Sequence, residues 1–223
     1  MPADWRSVLA EVADRIDIPL ARSQVEWSLA GSAATAVQGC AVVPRDIDLL
    51  FKTPGGVDAV ASLLQGYALP ACDADPGCAV WVSSRPTPVV DDRDPEGFRW
   101  HWGRWRVQGF KVEAAHITAP DGRQGAEPGI WENGPEIWIL HRLIEFRGHR
   151  LRVPPLEVQL ATCVRRGLSD RVESILKVLR RDGANRTLLT RSLGDPPTDP
   201  VLNRLQVEGT GVPAIGPDQV ADR

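Results

Sequence analysis

The sequence predicts an α+β fold, with short strands and helices interspersed over residues 1–153 and helices alone thereafter. Three observations carry this. Apolar residues recur at helical spacing close to the N-terminus. Two short apolar segments, Val25 to Leu29 and Ile47 to Phe51, each end near glycine-containing breaks. Pro154-Pro155 then precedes segments whose apolar period is helical throughout. The 223 residues, 43% hydrophobic and 25% charged, match an ordinary soluble domain with a small appended lobe. A chain of this size buries roughly 70% of its unfolded surface, so its core needs no disulfide or metal staple.

The elements follow in order. Trp5, Val8, Leu9, Val12 and Ile16 lie on one helical face. Val25 to Leu29 reads as a strand that runs into Ala30-Gly31-Ser32, and the small residues Ala33 to Gln38 follow as a helix. Ile47 to Phe51 is a second strand, entered through Arg45-Asp46 and ended by Pro54-Gly55-Gly56, with a helix over Val57 to Leu64. Turns are expected at Asp73 to Gly77, Arg85 to Pro88 and Asp91 to Gly97, with strand-like pieces at Ala79 to Val82 and Trp105 to Ile117. Trp138 to Phe146 and His149 to Val153 predict a hairpin around Arg147-Gly148. Helices are expected over Leu156 to Arg165, Asp170 to Arg181 and Arg186 to Leu193. The expected organisation is therefore a core over 1–153, a helical lobe over 154–206 and a disordered tail over 207–223.

Charge and cysteine usage exclude several classes. A net charge of −3 argues against a protein whose main task is coating duplex nucleic acid, which calls for a basic excess. Cys40, Cys72, Cys78 and Cys163 form no CxxC pair and no zinc-type spacing, and an intracellular chain keeps them reduced. The N-terminus has neither a basic nor an apolar leader region, and no run reaches the 18 apolar residues of a membrane span. The expectation is a cytoplasmic protein with no membrane partner.

One stretch carries chemistry: Trp27-Ser28-Leu29-Ala30-Gly31-Ser32, then, after an intervening segment, Asp46-Ile47-Asp48-Leu49-Leu50-Phe51. A strand ending in Gly-Ser at a helix start exposes backbone N–H groups and a hydroxyl, which together suit a phosphate. Glycine also lets the backbone approach a ligand that a Cβ would block. Asp46 and Asp48 are two residues apart on a strand and so share a face, while Ile47, Leu49 and Phe51 fill the other. Paired carboxylates of this kind suit a hard cation such as magnesium. Glu113, mid-strand in the largely apolar or small-residue run Phe110 to Ile117, is the candidate third acid, because an unpaired carboxylate there is expensive to bury and a metal or a neighbouring cation such as Lys111 would remove that cost. It is also a candidate base for an attacking hydroxyl.

Gly31-Ser32, the Asp46-Ile47-Asp48 pair and the later strand acid resemble the nucleotidyltransferase-fold superfamily. This is the group related to the catalytic core of DNA polymerase beta, and it includes small antibiotic- and toxin-type nucleotidyltransferases. The resemblance covers about residues 25–117. It implies a mixed β-sheet flanked by helices, with a small C-terminal helical lobe beside the site. It also implies that Gly31 and Ser32 grip the phosphates of a nucleoside triphosphate, and that Asp46, Asp48 and Glu113 hold two Mg2+ ions. The implied reaction transfers a nucleoside monophosphate to an acceptor hydroxyl or phosphate on an antibiotic, a tRNA or a protein. A glutamate as third acid departs from the aspartate more frequent in the family.

Alternatives stand beside these roles. Glu113 either binds metal or forms an ion pair with Lys111 or an arginine. Arg45 either grips nucleotide phosphates bidentately or serves as the aspartates' charge partner. The Arg99 to Arg106 segment, alternating aromatic and basic residues, either stacks on nucleic acid or forms a hairpin with solvated arginines. Arg165, Arg166 and Arg171 either face a triphosphate or lie on a solvated helix face. The chain as a whole could also be a catalytically silent relative, acting as a nucleotide sensor or a toxin–antitoxin partner.

Overall fold

In a computed structural model, residues 4–76, 78–120 and 130–194 are described. The chain opens with α1 (Trp5–Arg22), whose face of Val8, Leu9, Val12 and Ile16 is fully buried. Burying each such side chain stabilises the fold by about 2 kcal/mol, which fixes the helix against the sheet. The helix runs six residues past Ile16, through Pro19 to Arg22, because Leu20 is also buried and anchors that extension. Next come β1 (Trp27–Ala30), α2 (Gly31–Val37), β2 (Asp46–Phe51) and α3 (Pro54–Leu63). Three strands follow, β3 (Val90–Arg93), β4 (Arg99–Val107) and β5 (Phe110–Thr118).

These five strands form one mixed sheet in the order β1-β2-β5-β4-β3, in which β2 and β5 run parallel and the other neighbours antiparallel. A parallel pair needs a long crossover; here α3, β3 and β4 supply it. Its register sets Asp46 opposite Lys111 and Asp48 opposite Glu113, while β4 sets Arg104 opposite Glu113. One sheet face packs on α1 and α3 through Leu29, Ile47, Leu49, Phe51, Trp105 and Val112. The charged residues occupy the other face.

Several expectations are corrected. Trp105 to Ile117 is not one strand. Gln108 and Gly109, both at positive φ (50° and 81°), reverse the chain into the β4–β5 hairpin. Positive φ at both central residues matches the twist of the flanking strands. Ala79 to Val82 forms a turn and a loop, tied to β4 by Ser83 N–H donating to the Arg104 carbonyl at 2.7 Å. The expected turn at Asp91 begins later, because Val90–Arg93 pairs with β4 and Asp94 to Gly97 makes the reversal. Its acidic residues blunt an exposed sheet edge.

Residues Ile137–Leu140 form one helical turn, α4, before β6 (Arg142–Phe146) pairs with β7 (His149–Val153) in a second sheet. A short apolar run does not by its period choose between helix and strand. The remaining helices, α5 (Leu156–Arg165), α6 (Ser169–Asp182) and α7 (Arg186–Leu193), bury Leu160, Cys163, Ile175, Leu176 and Leu189 in a cluster that takes in Cys40. The fully buried Glu157 ties this cluster together. Arg142 Nη2 donates to both its oxygens at 3.2 Å, and Asn185 N–H donates to Oε1 at 2.9 Å. The expected tail over 207–223 lies outside the described residues, and among the described residues no helix is long and apolar enough to cross a membrane.

Candidate active site

Gly31 follows β1 directly and opens α2 at φ +59°, in the left-handed region that favours glycine. A Cβ on Gly31 would overlap Asp48 Oδ2, so the side chain of one strand and the backbone of the neighbouring turn are in direct contact. The Gly31 carbonyl accepts from Thr35 Oγ1 at 3.0 Å and from Gln159 Nε2 of α5 at 3.2 Å. Gln159 is itself buried and accepts from Gln38 Nε2 at 3.0 Å. Helix α5 thus braces the turn. Ser32 is buried, and its Oγ donates to Asp46 Oδ1 at 3.5 Å.

Strand β2 alternates: Ile47, Leu49 and Phe51 are buried in the core, and Asp46 and Asp48 are partly buried on the opposite face. The parallel register brings Glu113 beside them. Each of the three carboxylates offers an oxygen within 4.8 Å of the others, so the group could hold a metal ion. Asp48 is pushed up to about 7, first by burial and then by the charges of Asp46 and Glu113.

Two protein cations serve the triad. Lys111 Nζ lies 3.0 Å from Asp46 Oδ2 and 2.8 Å from Glu113 Oε2. Burial lowers the lysine's proton affinity, but the contacts with Glu113 and Asp46 outweigh it and the net shift is upward. Arg104 Nε donates to Glu113 Oε1 at 2.7 Å. Both Glu113 oxygens therefore accept from cations, Lys111 and Arg104, so the ion-pair alternative for this residue is formed. That arrangement leaves Glu113 poorly disposed to act as a base. Arg45 is exposed and makes no ion pair among the described residues; the charge partner of Asp46 is Lys111.

The Arg99 to Arg106 segment is strand β4, paired with β3 and β5, and Arg104 is not solvated. Its Nη1 lies 3.2 Å from the carbonyls of Cys78, Ala79 and Trp81, and its guanidinium rests over Trp102 at 5.0 Å. Trp102 packs edge-on against buried Trp81, and Trp100 Nε1 donates to Asp94 Oδ2 at 3.0 Å. These two tryptophans are spent on packing rather than presented as a stacking platform.

A fourth acid was not foreseen. The Glu132 carboxylate lies beside the Gly31 N–H and Thr162, and burial raises its proton affinity against the pull of the Gly31 N–H and the charges of Arg171 and Arg166. Two of the three arginines singled out in the helical lobe thus bear on an acid beside Gly31. Arg165 lies over the Trp131 ring at 4.1 Å. No motif precedes Glu132; only the folded chain brings it to Gly31. Of the histidines, His149 is held between Asp14 and Asp17 at 3.1 and 2.7 Å, and His116 Nδ1 lies 3.0 Å from the Phe51 carbonyl.

No protein-family model matches the chain, and no curated protein matches its sequence. Solved structures similar to it include the following three. A Thermotoga maritima protein designated a nucleotidyltransferase is 21% identical, over 79% of this chain and 93% of that one, with a TM-score of 0.49. The antibiotic-resistance factor ANT(2'')-Ia is 12% identical, over 85% of this chain and 91% of that one, with a TM-score of 0.43. An antigenic nucleotidyltransferase-like protein from Paracoccidioides brasiliensis is 12% identical, over 78% of this chain and 76% of that one, with a TM-score of 0.39.

Proposed function

We propose that the chain is a Mg2+-dependent nucleotidyltransferase that moves a nucleoside monophosphate from a nucleoside triphosphate to an acceptor hydroxyl or phosphate. The observation that carries this is the convergence of three carboxylates, within 4.8 Å of one another, on the turn whose glycine touches Asp48. Asp46, Asp48 and Glu113 are the proposed ligands of two Mg2+ ions, which when bound neutralise charge on the attacking and leaving oxygens. Gly31 and Ser32, with Arg45 at the strand entry, are the proposed phosphate contacts.

In the reaction, the acceptor oxygen forms a bond to the α-phosphorus as the bond to the β-phosphate oxygen breaks. Pyrophosphate leaves with that electron pair, and the acceptor's proton passes to solvent. The chain's contribution is positioning and charge compensation, as in phosphoryl transfer generally. Arg104 orients Glu113, and Gln159 and Thr35 fix the Gly31 turn against Asp48. The acceptor belongs to one of three classes: a small molecule such as an antibiotic, a tRNA or a protein.

Calorimetric titration of each nucleoside triphosphate, with and without Mg2+, into wild type and an Asp46→Asn/Asp48→Asn variant tests this reading. Mg2+-dependent binding by wild type alone is expected. Binding that ignores both metal and variant refutes it. A second reading, a catalytically silent nucleotide sensor or toxin–antitoxin partner, is favoured by one observation: both oxygens of Glu113 already accept from protein cations. It predicts the same binding with no pyrophosphate release in the presence of any acceptor.

A further inference from the structure

Lys111 and Arg104 both pair with Glu113, yet they are held very differently. The Arg104 guanidinium is anchored by three loop carbonyls, stacked over Trp102, and 14% exposed. Among the described residues the Lys111 ammonium pairs with two carboxylates, through Asp46 Oδ2 and Glu113 Oε2, and its side chain is 29% exposed on a flexible four-carbon stem. It bridges two members of the very group whose oxygens converge within 4.8 Å. Three carboxylates face two protein cations here.

We propose that Lys111 is a resident counter-cation of the triad, and that a divalent metal enters by displacing its ammonium from Asp46 and Glu113. The inference rests on the metal-dependent reading above. Arg104 stays on Glu113 Oε1 through the exchange, so Glu113 offers the metal a single oxygen, Oε2, and the carboxylate does not have to rotate. The lysine assembles the acids in the absence of metal and lowers their affinity for it. A dipositive ion then replaces a monopositive one, and the freed ammonium remains on the site face of β5, two residues from Glu113.

The test uses the full chain without nucleotide, with Mn2+ as probe and its free ion counted by electron paramagnetic resonance. Wild type, Lys111→Met and Asp46→Asn are compared. Lys111→Met is expected to bind Mn2+ about tenfold more tightly than wild type, and Asp46→Asn to lose binding. Equal or weaker binding by Lys111→Met, with wild type still binding through Asp46, overturns the displacement and leaves the metal-dependent reading standing. Absence of binding by both wild type and Lys111→Met overturns the two together. A second measurement needs no variant. The chain has only three lysines, Lys52, Lys111 and Lys177, so 13C reductive methylation gives a side-chain spectrum resolvable by residue. Mg2+ is expected to move the Lys111 signal and leave Lys52 and Lys177 in place. A Lys111 signal unmoved at saturating Mg2+ overturns the proposal, whether or not Lys111→Met folds.

Discussion

Replacing Asp48 by asparagine should make the metal-free protein more stable, by an amount that grows as pH rises above about 4 and levels off above about 7. In the fold the Asp48 carboxyl is pushed up to about 7 from an ordinary value of 3.8, by burial first and by Asp46 and Glu113 next. Between these values the folded chain holds a proton that the unfolded chain has released. Wild type therefore loses stability as pH rises from about 4 to about 7. About three pH units at about 1.36 kcal/mol each give a loss of about 4 kcal/mol, complete above pH 7. The three acids titrate as a coupled set, which spreads the change over a wider pH range. Asparagine carries no such proton and escapes the loss. Urea denaturation in EDTA at pH 4, 5.5, 7 and 8 measures the difference. The variant should match wild type near pH 4 and exceed it by up to about 4 kcal/mol at pH 8. Groups common to both proteins cancel in this comparison. A difference that stays flat with pH refutes the reasoning, because Asp48 would then titrate alike in both states. Added Mg2+ should raise the stability of wild type at pH 8 and leave the variant unchanged, since a ligand that binds only the folded state stabilises by mass action.

Two further outcomes are expected. Gly31→Ala places a side chain in the left-handed region and onto Asp48 Oδ2. It should cost about 1–3 kcal/mol of stability and weaken Mn2+ binding at least tenfold; denaturant unfolding and metal titration read the two effects, and wild-type values in both would refute the contact. Glu157→Gln removes the charge that the Arg142 guanidinium and the Asn185 N–H share between β6 and the helices. A loss of about 2 kcal/mol is expected in urea denaturation, with Mn2+ binding kept; an unchanged midpoint would refute the bracing role.

Where local rules govern, the sequence was readable. In β2 the period of two alone puts Asp46 and Asp48 on one face and Ile47, Leu49 and Phe51 on the other, and the burial pattern follows it. Helices α5 and α7 begin and end where their apolar periods and flanking residues place them. The middle of the chain was less legible. Nothing in Trp105 to Ile117 marks a reversal except Gly109, and its partner in the turn, Gln108, adopts positive φ only because both flanking strands pair.

The candidate site divides the same way. Residue type and spacing by themselves determined the Gly-Ser turn, the paired aspartates and a lone strand acid at Glu113. Tertiary structure decided which of the offered charges compensate them. The parallel β2–β5 register delivers Lys111 to Asp46, the β4–β5 register delivers Arg104 to Glu113, and a later segment carries Glu132 to the Gly31 N–H. Periodicity reports which face a side chain takes, because that depends on its neighbours in the chain. It does not report which strand lies alongside or in what register, because those follow from burying apolar faces that are far apart in sequence. The carboxylates were therefore visible from the residues, and Lys111 was visible as an ion-pair candidate for Glu113; its second contact to Asp46 and the choice of Arg104 among the arginines were not.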